Sequence, residues 1–165
     1  MRNIVFLFIF LCSKTQAADI TINQVRILFK SSSTNENSCL KLTNILEEYN
    51  ELNNPTMAAY RACATMMMAR YVLNPINKLS YFNQGKNLLE KCIKVDNANI
   101  EIHYLRFTIQ SNAPTFLGYY NSISNDKLFL LKNISNVNDL QLKHMIISFL
   151  KSSKHLTIKE KQNFK

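Results

Sequence analysis

From residue 22 to residue 153 the apolar positions return every three or four residues, in blocks parted by short polar breaks, which is the spacing of amphipathic helices. The first block, Ile22 to Lys30, is short and gives way to a polar stretch, Ser31 to Ser38. Leu40, Leu42, Ile45, Leu46 and Tyr49 follow at helical intervals, with Lys41, Asn44, Glu47 and Glu48 between them. Asn53-Asn54-Pro55 stops that helix and starts another, because proline in a first turn lacks an N–H that would have had no partner there. From Met57 to Leu73 the pattern is apolar on every side, interrupted only by Arg61, Thr65 and Arg70. A helix that is apolar all round belongs in the centre of a bundle or in a membrane. Two arginines in so short a stretch point to the bundle.

Asn74-Pro75 breaks the chain again, and a helix is predicted from Lys78 to Val95. Asp96 to Asn99 turns into a further helix, Ile100 to Gln110, which Ala113-Pro114 ends. An aromatic loop with Phe116, Gly118, Tyr119 and Tyr120 comes next, then two weaker helices, roughly Asn125 to Ile134 and Asn138 to Ser153. The last twelve residues, Lys154 to Lys165, are polar and basic and are expected to fray. No useful length alternates as a strand does, and two glycines with three prolines are too few to turn a many-stranded fold. The expectation is an all-α chain of stacked antiparallel helical hairpins, with one domain over residues 18–153.

The first seventeen residues have another logic. Met1, Arg2 and Asn3 make a short positive start, Ile4 to Cys12 is an unbroken apolar run, and Ser13 to Gln16 leads into Ala17-Ala18. That order is the order of a secretory signal peptide. The run has about half of the ~20 apolar residues that a spanning helix needs. Cutting near Ala17 would leave an exported chain, periplasmic or extracellular. Leu11 is too large to precede a lipidated cysteine, so Cys12 is read as part of the leader. Loss of Arg2 and Lys14 takes the net charge from +9 to about +7 and leaves three cysteines, Cys39, Cys63 and Cys92. An odd number cannot pair completely, and all three sit in apolar helical contexts where a thiol packs as a small hydrophobe. Buried free thiols, with at most one disulfide, are expected.

Within the segment Gly85 to Asn99, a small residue (Gly85), a large apolar one four later (Leu89) and a small one three further on (Cys92) precede the turn Asp96-Asn97-Ala98-Asn99. This resembles the second helix and exit turn of a tetratricopeptide repeat, mainly over residues 78–112, although the turn lacks the family's proline. His103 and Phe107 stand where an aromatic and a small residue are usual, and no strict 34-residue period runs through the chain. The resemblance implies a small stack of hairpins that binds other proteins or peptides, without catalysis. In layout the chain is also similar to small signal-bearing helical proteins of Gram-negative bacteria.

Charge and chemistry narrow the function further. Lys78, Lys86, Lys91 and Lys94 lie along one helix, and Lys151, Lys154, Lys159, Lys161 and Lys165 crowd the C-terminus. Basic faces attract nucleic acid or anionic surfaces. Export makes nucleic acid a poor partner and leaves weak contact with an anionic membrane surface, or plain solvation with lysine stems covering the core. Cys63, Met66 and Met67 share a helix face that could suit Cu(I), yet no second Met or His cluster completes a site. His103, His144 and His155 are isolated, without metal-ligand spacing. Two separated glycines exclude a phosphate-cradling or dinucleotide loop. No enzyme activity and no cofactor are expected.

The recognition candidates gather around the aromatic loop: Arg106, Gln110, Asn112, Phe116, Tyr119 and Tyr120, with Tyr81 and Phe82 from the preceding helix. Aromatic and arginine side chains at a loop are common anchors of a recognition site. The competing reading has the aromatics plugging the end of the bundle while Arg106 caps carbonyls. The leading expectation is a non-catalytic helical scaffold that binds a protein or peptide partner. The alternative is an envelope-surface or small-ligand binder using the lysine faces and the loop 112–120.

Overall fold

A computed structural model of the chain describes residues 20–164, so the signal-like segment lies outside the described residues. Within them there are eight α-helices, two 3-10 turns and no strand. The helices are α1 (Ile22–Ser32), α2 (Glu36–Ile45), α3 (Pro55–Met68), α4 (Pro75–Val95), α5 (Ile100–Asn112), α6 (Ile123–Asn133), α7 (Leu140–Ser152) and α8 (Ile158–Gln162). The 3-10 turns are Thr115–Leu117 and Ile134–Asn136. Among these helices none is long and apolar enough to cross a membrane.

The asparagines of the polar breaks do the capping. Asn54, Asn74 and Asn99 each accept a hydrogen bond from a first-turn backbone N–H through the side chain, satisfying donors that the helix itself leaves unpaired. Thr21 and Gln24 form a reciprocal capping box at α1. The polar break after α1 is shorter than its composition suggests. Ser32 is fully buried and its hydroxyl donates to the Leu28 carbonyl at 2.7 Å, which carries the helix on to that residue.

Helix α3 is the centre. Nine of its residues are buried, and it packs against α1, α2, α4 and α5, most extensively against α4. Close approach explains that pairing. A Cβ at Gly85 would overlap the Ala62 carbonyl oxygen and come within 2.9 Å of the Met66 amide nitrogen, so only glycine lets α4 lie this near. Leu89 and Cys92, on the same face of α4, have no exposure. Cys39, Cys63 and Cys92 are all buried and form no disulfide among the described residues. Burial raises the thiol of Cys39 to about 11 and that of Cys92 to about 12, with nearby glutamates adding to the effect, and pushes Cys63 well up.

The C-terminal segment needs a correction. In place of fraying after Ser153, it turns back, buries Leu156 and forms α8. Thr157 and Glu160 make a second capping box, and Lys127 of α6 pairs with Glu160 at 3.0 Å. The single Leu156 anchor and the box supply what the polar composition hides.

Candidate functional site

Two buried ionic networks tie the helices together, and both join residues far apart in sequence. In the first, Arg26 of α1 donates through Nε and Nη2 to the two Glu101 oxygens at 2.7 and 2.8 Å. Its Nη1 donates to Asp139 at 2.7 Å and to Gln141 at 3.0 Å, at the start of α7. Tyr60 of α3 donates its hydroxyl to the same Glu101 at 2.7 Å. One guanidinium therefore pins α1, α5 and the start of α7, with α3 joined through the carboxylate. Asp139 is held below its ordinary value, first by the Leu142 backbone N–H and then by Arg26.

The second network centres on Asp126 of α6, which has no exposure. Arg106 grips it with Nε and Nη2, both at 2.8 Å, and donates Nη1 to Glu90 at 2.9 Å. His103 Nδ1 lies 2.6 Å from the same carboxylate, its Nε2 lies 2.9 Å from the Asn97 carbonyl, and its ring stacks on Phe129. Both ring nitrogens thus lie within hydrogen-bond distance of an oxygen, which fixes the orientation of the imidazole between α5 and α6. Tyr119 donates its hydroxyl to Glu90. Burial, followed by that hydrogen bond to Glu90, raises the Tyr119 phenol.

This arrangement corrects the reading of Arg106, Gln110 and Tyr119 as partner-contacting residues. All three are buried, and the Arg106 and Tyr119 polar groups are committed to internal carboxylates. Arg106 does not cap carbonyls either. Phe82 is also buried, with its ring edge-to-face against Tyr119 at 5.9 Å. Tyr81 is half-buried and Tyr120 exposed, and neither lines the cavity described next.

That cavity is an open groove of about 1660 Å³ between α1, the end of α3, the first half of α4, the second half of α5, the 115–117 turn and α7. Of the eight candidates it gathers Phe82, Asn112 and Phe116. Its floor includes the buried side chains of Met66, Phe82 and Tyr104. Phe149 of α7 packs edge-on against Tyr104 and Phe107, which seats α7 as one wall. Its rim carries apolar side chains that a folded chain usually covers: Ile27 is 64% exposed, Leu79 50% and Phe116 85%. Arg26 and Gln141 lie on the lining, so the first ionic network is also the strut between two walls.

Sequence reading missed the walls from α1 and α7. Ile27, Lys30, His144 and Met145 carry no local signal that distinguishes them from any amphipathic helix. One signal was readable. Arg26 lies beside Val25 and three residues before Phe29, on the face that must be buried, and an arginine there requires a carboxylate partner.

The basic helix reading also changes. Lys78 lies at the groove, Lys86 sits 5.3 Å from the centre of the Tyr119 ring, and Lys91 pairs with Glu51 at 3.4 Å. Three of the four α4 lysines thus serve separate places rather than a single basic face. Among the described residues no group of three His, Cys, Asp or Glu side chains is placed to hold a metal ion. Comparison with protein-family models, with curated proteins and with solved structures returns no match to this chain.

Proposed function

We propose that this chain is an exported, non-catalytic helical scaffold whose groove takes a segment of a protein or peptide partner. The observation that carries the reading is the groove itself: a large open trough with an apolar floor and uncovered apolar side chains on its rim. Contiguous exposed apolar surface with polar surroundings marks an interaction site. Its size favours a peptide over a metabolite, since small-molecule pockets run to about 300–1,000 Å³. Hairpins stacked in the manner of tetratricopeptide repeats, with Gly85, Leu89 and Cys92 as the close-packing residues, are the architecture we assign. The signal-like order of residues 1–17 supports export. The lysine-face alternative is weakened by the dispersal of the α4 lysines over separate surroundings.

The test has two arms. Phage-displayed helical peptides are selected on the purified chain and re-tested on the double variant I27E/F116D. Both positions are exposed, so the fold is retained. Clones that bind the wild-type chain and lose the variant support the groove, and clones that bind both equally refute it. N-terminal sequencing of the chain recovered from its native cell envelope should begin near Ala18. An intact Met1 on cytosolic protein would overturn export.

A further inference from the structure

We propose that the occupant of the groove is an acidic amphipathic helix of about three turns, an inference that rests on the peptide-groove reading above. Charge comes first. Among the described residues, the charged side chains on the lining are Arg26, Lys30, Arg70 and Lys78, joined by His144, with no aspartate or glutamate. Arg26 is neutralised by Glu101 and Asp139. Lys30, Arg70 and Lys78 are exposed and make no ion pair among the described residues. They come from α1, the exit of α3 and the start of α4, so three separate elements turn unpaired cations toward one trough. A complementary partner carries carboxylates there.

Shape and surface point to a helix. Three turns, about 16 Å long and about 10–12 Å across with side chains, fill on the order of 1500 Å³, which matches a trough of about 1660 Å³. Ile27, Leu79 and Phe116 on the rim, above Met66 and Phe82, offer an apolar bed for a stripe of i, i+3, i+4, i+7 anchors. Met66, Met67 and Met145 supply flexible, polarisable contact of the kind that adapts to helical ligands. A second copy of this chain is a poor occupant, because each copy is strongly positive, +9 as the full chain and about +7 without Arg2 and Lys14. The leader is also mismatched, since its only charges are Arg2 and Lys14.

The test uses two fluorescein-labelled 14-residue peptides on the full chain, read by fluorescence anisotropy. Both carry Leu and Phe at the four anchor positions; one has glutamate on its polar face and its twin has lysine. At low salt the glutamate peptide should bind about tenfold tighter, which is what three partly screened ion pairs supply together. The gap should narrow at 0.5 M salt. K30E/R70E/K78E should invert the preference, and I27E/F116D should abolish binding of both peptides. Circular dichroism confirms that each variant is folded. Equal binding of the twins, a preference for lysine, or a preference unchanged in the triple variant overturns the acidic proposal. The peptide-groove reading survives that result if I27E/F116D still abolishes binding. Binding of neither peptide, or binding that I27E/F116D leaves intact, overturns both. Dodecanoate that binds the groove and is displaced by neither peptide also overturns both, in favour of an anionic lipid. A dimer in sedimentation that dissociates in F116D overturns the proposal in favour of a second copy.

Discussion

Replacing Glu101 by glutamine keeps the side-chain shape and removes one charge from the middle of four helices. Arg26 then loses its bidentate carboxylate at 2.7 and 2.8 Å, and the Tyr60 hydroxyl loses a charged acceptor at 2.7 Å. Breaking one side of a buried pair costs about 3–5 kcal/mol, because the remaining ion stays out of water without compensation. Arg26 keeps Asp139, whose side chain is 44% exposed and partly hydrated, so the lower end, about 3 kcal/mol, is expected. For a chain of this size that is a fall in Tm of roughly 6–12 °C, a large share of a typical stability of about 5–15 kcal/mol. Thermal denaturation followed by circular dichroism measures it. The triple variant R26M/Y60F/E101L removes the three buried members together, leaving only the partly exposed Asp139 and Gln141, and should be far less harmful than the single change, since apolar side chains of similar size fill the space. E101Q costing under about 1 kcal/mol, or a triple variant as damaged as the added effects of its single changes, would refute the reasoning, because a coupled buried network gives neither result.

Other outcomes follow from the same structure. Gly85→Ala should destabilise by about 1–3 kcal/mol through overpacking against α3, although alanine is the better helix former; an unchanged urea midpoint would show that α3 and α4 are not this close. Gly118→Ala, at φ 62° with open space around it, should cost only the left-handed backbone strain, about 1 kcal/mol. The thiols of Cys39, Cys63 and Cys92 should resist an aromatic disulfide reagent in the folded protein and react in guanidinium, since only thiolate attacks and burial suppresses it. Burial, aided by Lys154 and Lys127, lowers the pKa of His155 below its ordinary 6.5, and its ring lies against Phe107. The unfolded chain therefore binds that proton more readily, so this stability is present above pH 6.5 and is lost as pH falls through the folded value. His155→Gln should flatten the urea-midpoint slope below pH 6.5; an unchanged slope would assign it to other groups.

The helices were legible because their cause is local. Apolar spacing, Asn-Pro breaks and asparagine caps act within a few residues, and they marked α3 through α7 to within a turn or so. The central place of α3 was legible too, since a helix with no polar face has nowhere else to go. The groove was legible only in part. Phe82, Asn112 and Phe116 line it, whereas Arg106 and Tyr119 looked like anchors until Asp126 and Glu90 took them inside. A helical arginine just before a loop reads the same whether its carboxylate belongs to a partner or lies twenty residues on along the chain.

By itself, then, the sequence determined the all-helical character, the buried thiols, the close-packing glycine and the positive charge, all of which follow from side-chain chemistry and short-range spacing. Tertiary structure alone decided which charges are spent and which stay free. Arg26 meets Glu101 and Asp139 across 75 and 113 residues, while Lys30, Arg70 and Lys78 meet no acid among the described residues and face the trough. The reason is physical: an ion pair is settled by distance in space and by loss of water, and neither is written in the local order of residues.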